Sequence, residues 1–218
     1  MLNTGLITLG NGTDTITFAG GLDTTSGMNG TSIGGTVLTT DTQMDLGAVT
    51  LTATSELDSG TAAASIINIG AVTRGTNALT LDAGSAAVIT VDSLAGNGAL
   101  TVRDSGGTTF TNGIAASTVT LTGTTGTVEF GGSTTISAGL VTTAQGYGVS
   151  FLGLSNSVAG DTTFANTGLI TLGNACHSNT SAGALDTTSA LIGTCIGGTV
   201  LTTDTQMHLR VAPFTSSS

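Results

Sequence analysis

Apolar and polar residues alternate in short runs along almost the whole chain. LITL (Leu6–Leu9), TITF (Thr15–Phe18), TVLT (Thr36–Thr39) and VTLTAT (Val49–Thr54) open the series. IINI (Ile66–Ile69), ALTLD (Ala78–Asp82), VITV (Val88–Val91), ALTV (Ala99–Val102) and TTFT (Thr108–Thr111) follow. VTLT (Val119–Thr122), VEF (Val128–Phe130), VSFL (Val149–Leu152), TTFA (Thr162–Ala165) and a second LITL (Leu169–Leu172) complete it. Period-two alternation sends one set of side chains inward and the other outward, the signature of strands. Between the runs stand turn formers such as Gly10–Asp14 (GNGTD), Asp58–Gly60 (DSG), Gly96–Gly98 (GNG) and the pairs Gly106–Gly107 and Gly131–Gly132. No useful helical apolar period occurs, so the pattern predicts an all-β fold.

One long stretch occurs twice. Asn3–Met44 and Asn166–Met207 align without a gap, Asn3 on Asn166 and Met44 on Met207, with about 30 of 42 positions identical. The expected organisation is a single β-solenoid fragment over 1–218. Residues 3–165 form one full long repeat and 166–218 the start of a second, diverged or damaged one. In the second copy Thr15-Ile16-Thr17-Phe18 becomes Ser178-Asn179-Thr180-Ser181, losing both inward apolar residues. The continuation DLGAVTLTATSEL becomes HLRVAPFTSSS, and Pro213 would interrupt a strand ladder. A shifted reading frame or decayed terminal repeat is therefore expected over Gly173–Ser218, packing worse than Asn3–Thr54. The ends of the stack are expected to be sticky edges.

Two architectures take many short strands: a right-handed parallel β-helix (β-solenoid) of about 8–11 short-stranded coils, or tandem β-sandwich domains. Strands recurring every 8–12 residues or so close a coil of about 20–25 residues in threes. Sandwich cores lean on large aromatics, and this chain has no Trp, one Tyr (Tyr147) and six Phe. The solenoid is the expected fold.

Composition narrows function by exclusion. Of 218 residues only 7% are charged; there is no Lys, and Arg74, Arg103 and Arg210 face 13 acidic residues, for a net charge of −10. Such a chain cannot neutralise a row of phosphates, so nucleic acid and anionic membrane surfaces are excluded as partners. No apolar run reaches the length of a membrane-inserting helix. Met1 falls where the second copy has Phe164, so any export signal is expected upstream.

Candidate chemistry is sparse. Cys176, His177, Cys195 and His208 invite a zinc reading, but the first copy has Thr13, Asp14, Ser32 and Asp45 there, and the spacing fits no standard module. Cys176 and Cys195 are separated by nearly one coil's length of chain, compatible with a disulfide between neighbouring coils. Asp14, Asp23, Asp41 and Asp45 read as solvated turn residues, without the glycine-aspartate nonapeptide of calcium-binding repeats. Asp41, Asp45, Glu56 and Asp58 raise glycosidase chemistry, but nothing fixes their convergence, and Arg74 and Arg103 read as isolated. No catalytic, cofactor-binding or metal-ligating set is expected, and the chain is read as a non-enzyme. Thr-x-Thr pairs at Thr15/Thr17, Thr50/Thr52, Thr118/Thr120 and Thr120/Thr122 would suit an ice-binding face only if they recurred on one strand of successive coils. Asn11, Asn29 and Asn179 match glycosylation acceptors, as composition alone predicts.

The phrasing GLITLGNGTDTITFAGGL at Gly5–Leu22, with LTLDAG at Leu79–Gly84 and TLTG at Thr120–Gly123, resembles the repetitive passenger regions of large bacterial exoproteins. These are of the filamentous-haemagglutinin type and the autotransporter-associated β-strand repeat type. The resemblance implies a right-handed β-helix at the bacterial cell surface, exported through an outer-membrane translocator, acting in adhesion or aggregation. A structural stalk packed against neighbouring repeats of the same chain is the expected role, with cell-surface or matrix glycans as its ligand class. A carbohydrate- or ice-binding solenoid face and a polysaccharide-degrading β-helix enzyme are the alternatives.

Overall fold

The structure, a computed structural model, describes residues 4–203 and 205–210, with only the backbone of residues 175 and 176. Every strand pairing is parallel, and the chain winds into a β-solenoid of about nine turns with no helix among the described residues. This excludes the sandwich alternative, which requires antiparallel sheets.

Each turn contributes to three stacks of strands. The first runs through Ile7–Leu9, Thr31–Ile33, Val49–Leu51, Val72–Thr73, Leu94, Ile114, Thr134–Ile136 and Asn156–Val158 to Asn179 and Val200. The second runs through Thr15–Phe18, Thr36–Leu38, Glu56–Asp58, Thr80–Asp82, Thr101–Val102 and Thr120–Leu121 to Val141–Thr142. Thr162–Thr163 continues it, tied to Thr142 by the Ala165 N–H donating to Thr142 Oγ1 at 2.7 Å, and Leu185–Asp186 and Met207–His208 come next. The third carries Leu22, Met44, Ile67, Ile89, Thr108, Val128, Val149, Ile170 and Thr194. Coils are unequal in length: the one from Thr31 to Val49 is short and the one from Ile7 to Thr31 long.

The alternation explains the core. In the third stack, Leu46, Ile69, Val91, Phe110, Phe130, Phe151 and Leu172 lie over one another and are buried. The rings of Phe110 and Phe130 stack with centroids 5.3 Å apart, and those of Phe130 and Phe151 at 4.6 Å. Such offset pairs contribute about 0.5–1.5 kcal/mol each beyond area burial. In the second stack Val37, Leu57, Leu81, Val102 and Leu121 form the matching column. Tyr147 is fully buried; its hydroxyl donates to the Leu121 carbonyl at 3.2 Å and accepts from the Thr143 N–H at 2.9 Å.

Corners need unusual backbone. Gly10 has φ 71°, and a Cβ there would lie 2.2 Å from the Gly34 carbonyl oxygen of the next coil. Its counterpart Gly173 keeps φ 80°, so both copies retain glycine where only glycine fits.

Candidate functional site

The acidic residues singled out as candidates hold turns. The Asp14 carboxylate accepts the Asn11 N–H at 3.0 Å, and Asp23 accepts the N–H and hydroxyl of Thr25 at 2.9 and 2.6 Å. Asp45 accepts from the amide groups of Gln43 and Asn68, and Asp58 from the Gly60 N–H at 2.8 Å. Asp41 reaches across coils: the N–H groups of Thr61 and Ala62 donate to its Oδ1 at 2.7 and 3.1 Å. It is the non-glycine residue of positive φ, at 52°, among the described residues. Backbone N–H bonds hold the Asp41 carboxyl below its ordinary value of 3.8, and hydrogen bonds from Thr25 and Thr188 do the same for Asp23 and Asp186.

Asp41 and Asp58 share an open cleft of about 300 Å³ with Thr17, Leu38, Thr39, Thr40, Gly60 and Thr61. Both carboxylates there accept turn N–H groups through Oδ1, Asp58 from Gly60 and Asp41 from Thr61.

Arg103 does not stand alone as its sequence context suggests. It forms an ion pair with Glu56 two coils earlier and lies 3.4 Å from Asp82 on the intervening coil. The register explains the encounter, since Glu56, Thr80 and Thr101 are stacked outward neighbours. The Glu56 contact pushes the Arg103 pKa up, whereas burial beside Asp82 pushes the Asp104 carboxyl up. Arg103 is half exposed, so this cluster contributes little stability.

Arg74 gives no sign in the sequence of its actual place. It is buried, and its guanidinium donates to the carbonyls of Ala99 at 2.6 Å and Ala115 at 2.8 Å, one and two coils on. Nε has no partner, and burial lowers its pKa to about 10. It works as an axial staple through three coils.

The metal-like set is dispersed. Cys195 is exposed beside Thr171 in the third stack, His177 pairs with Gly198, and His208 lies beside Asp186 in the second stack. Among the described residues no three His, Cys, Asp or Glu side chains gather in a way that could hold a metal ion. The side chain of Cys176, and so its disulfide with Cys195, lies outside the described residues, as does Pro213.

The Thr-x-Thr pairs fall on different stacks: Thr15/Thr17 and Thr118/Thr120/Thr122 belong to the second, Thr50/Thr52 to the first. The coil after Thr15/Thr17 presents Thr36 and Leu38, so among the described residues this pair does not recur on the next coil of the second stack. Asn179 is buried and is no glycan acceptor in this fold.

The second copy differs from expectation at the strand that lost its apolar residues. Asn179 and Ser181 are buried, whereas Ile16 and Phe18 in the first copy are half-buried. Asn179 lies over Asn156, whose Nδ2 donates to its Oδ1 at 3.0 Å. A cavity of about 30 Å³ remains beside Ser181, lined by Phe151, Val158, Phe164, Leu172 and Leu185 among others. The last coil is open: Ile196 and Leu201 are 42% and 51% exposed, while Ile33, the counterpart of Ile196, is fully buried.

Comparison with protein-family models, with curated proteins and with solved structures gave no match.

Proposed function

We propose that this chain is a stalk segment of a secreted or cell-surface adhesin, a rod that holds adhesive or aggregating surfaces at a distance and performs no catalysis. The observation that carries this reading is the use of the polar residues. Asp14, Asp23, Asp41, Asp45 and Asp58 tie turns within and between coils, and Arg74 staples three coils from inside. The chemistry of the chain goes into holding its own coils together. About nine turns at a strand spacing of about 4.8 Å give a rod of roughly 43 Å. Export through an outer-membrane translocator suits the reading, since a stack that closes turn by turn can form as it emerges.

The test is a glycan array and polysaccharide hydrolysis assay with the isolated chain, beside display of the chain between a surface anchor and an epitope tag on non-adherent bacteria. The expected result is a tag raised clear of the surface, with no tight glycan binding and no hydrolysis. Specific nanomolar glycan binding, or turnover, would overturn the reading.

A further inference from the structure

Asparagine stands directly before glycine at four places: Asn11-Gly12, Asn29-Gly30, Asn97-Gly98 and Asn112-Gly113. In such a pair the side-chain amide is open to attack by the next main-chain nitrogen, because glycine has no side chain to obstruct the approach. The attack needs that nitrogen to be uncovered and its N–H free to lose a proton.

The fold treats the four pairs differently. The Gly12 N–H donates to the Gly34 carbonyl at 3.2 Å, and the Gly30 N–H to the Gly27 carbonyl at 3.0 Å. Gly98 is buried, packed so closely on Asn77 that a Cβ would lie 1.9 Å from its carbonyl oxygen. Asn112 and Gly113 are both exposed, and the Gly113 N–H has no acceptor among the described residues. On the next coil a Cβ at Gly132 would stand 2.4 Å from the Gly113 nitrogen, so glycine there keeps that nitrogen uncovered.

We propose that Asn112 is a self-modification site, the first of the four to deamidate in the folded chain. The Gly113 nitrogen gives its proton to solvent hydroxide and bonds to Cγ of Asn112. The Cγ–Nδ2 bond breaks, and ammonia leaves with a proton taken from water. Water then opens the five-membered imide at either carbonyl, leaving aspartate or isoaspartate, with no change of oxidation state.

The consequence falls on one corner, between Phe110 of the third stack and Ile114 of the first. Asn112 lies over Asp92 of the preceding coil; its N–H donates to the Asp92 carbonyl and its Nδ2 to Asp92 Oδ1, each at 2.7 Å. Deamidation replaces that amide donor with a carboxylate, so an inter-coil hydrogen bond becomes a contact between like charges. The isoaspartate form also adds a methylene to the main chain, where Gly132 already packs so closely that a Cβ would lie 2.2 Å from the Asn112 carbonyl carbon. Either product loosens the corner. The proposal goes beyond the stalk reading and does not depend on it.

The test holds the folded chain at mildly alkaline pH, with peptic peptides read over time by mass spectrometry and isoaspartate labelled by an isoaspartyl methyltransferase. Asn112 is expected to convert at least several-fold faster than Asn11, Asn29 and Asn97, while a guanidinium-unfolded chain converts all four alike. Equal rates in the folded chain, a lead by another of the four, or conversion only in the unfolded chain would overturn the assignment. Asn112→Asp carries the product charge and is expected to lower the thermal midpoint. Asp92→Asn/Asn112→Asp should recover it, since donor and acceptor merely change places. Asn112→Asp melting with the parent, or a double variant melting no higher than Asn112→Asp, would overturn the loosening.

Discussion

Asn156 donates its side-chain amide to the side-chain carbonyl oxygen of Asn179, at 3.0 Å, inside the rod. The two members of the pair are unequally satisfied. Asn156 also donates to the Gly153 carbonyl at 2.9 Å and accepts the Thr134 N–H at 3.2 Å, whereas Nδ2 of Asn179 has no partner. Removing Asn156 would orphan buried groups on two coils, at a cost of about 1–3 kcal/mol. Removing Asn179 deletes an already orphaned donor and one acceptor of Asn156, whose Nδ2 keeps its bond to the Gly153 carbonyl. Urea unfolding is expected to show Asn156→Val clearly destabilised and Asn179→Val within about 1 kcal/mol of the parent. Equal losses would show that the pair contributes as a symmetric unit.

The cavity beside Ser181 predicts a gain. Ser181→Val adds apolar volume facing Val158 and Phe151 without requiring space for a ring. Cavity filling of this kind commonly adds about 0.5–2 kcal/mol. A thermal melt should show a higher midpoint; a lower one would mean that the hydroxyl's contacts with Thr162 and the Gly160 carbonyl outweigh packing.

Arg74 separates packing from charge. Arg74→Ala leaves a void through three coils and is expected to cost about 3–5 kcal/mol. Arg74→Met keeps most of the volume and discards a buried charge, and should recover much of that loss in urea titrations. Equal damage from both variants would make the two guanidinium hydrogen bonds the dominant contribution.

Acid should act through the turn carboxylates. The folded-state pKa values of Asp23, Asp41 and Asp186 lie below the ordinary 3.8, so the stability they contribute is present above that value and is lost as pH falls through the folded ones. The loss therefore falls below about pH 4. Asp41→Asn keeps the shape of the cap and removes the titration; its unfolding midpoint is expected to be less acid-sensitive than the parent's.

Trypsin has few openings. Arg74 is buried, and Arg103 lies in a paired strand and an ion pair, while Arg210 is exposed. Limited digestion followed by mass spectrometry should show first cleavage after Arg210 and slow cleavage elsewhere. Rapid cutting at Arg74 would mean that the coils around it open readily.

Strand positions and the solenoid are legible because alternation and corner glycines are local signals: Ile7 and Leu9 face inward, and Gly10 takes a backbone that excludes side chains. Which stack a strand joins is not legible. It depends on counting coils as unequal as Thr31 to Val49 and Ile7 to Thr31, with no fixed period to count by. Arg74 reads as a surface charge because the carbonyls it meets, at Ala99 and Ala115, belong to other coils. Asn179 reads as damage against Ile16 of the first copy. Its new neighbour Asn156 makes it like over like, visible only when Ser155–Val158 is set over Ser178–Ser181.

The corners shared by the two copies also bear on how such a rod can change length. Because the Leu22–Thr31 and Leu185–Thr194 corners work at different sides of the cross-section, a genetic duplication or deletion need not span whole turns to be tolerated. It needs only to break and rejoin at a corner of this kind, which the rod takes on two of its sides.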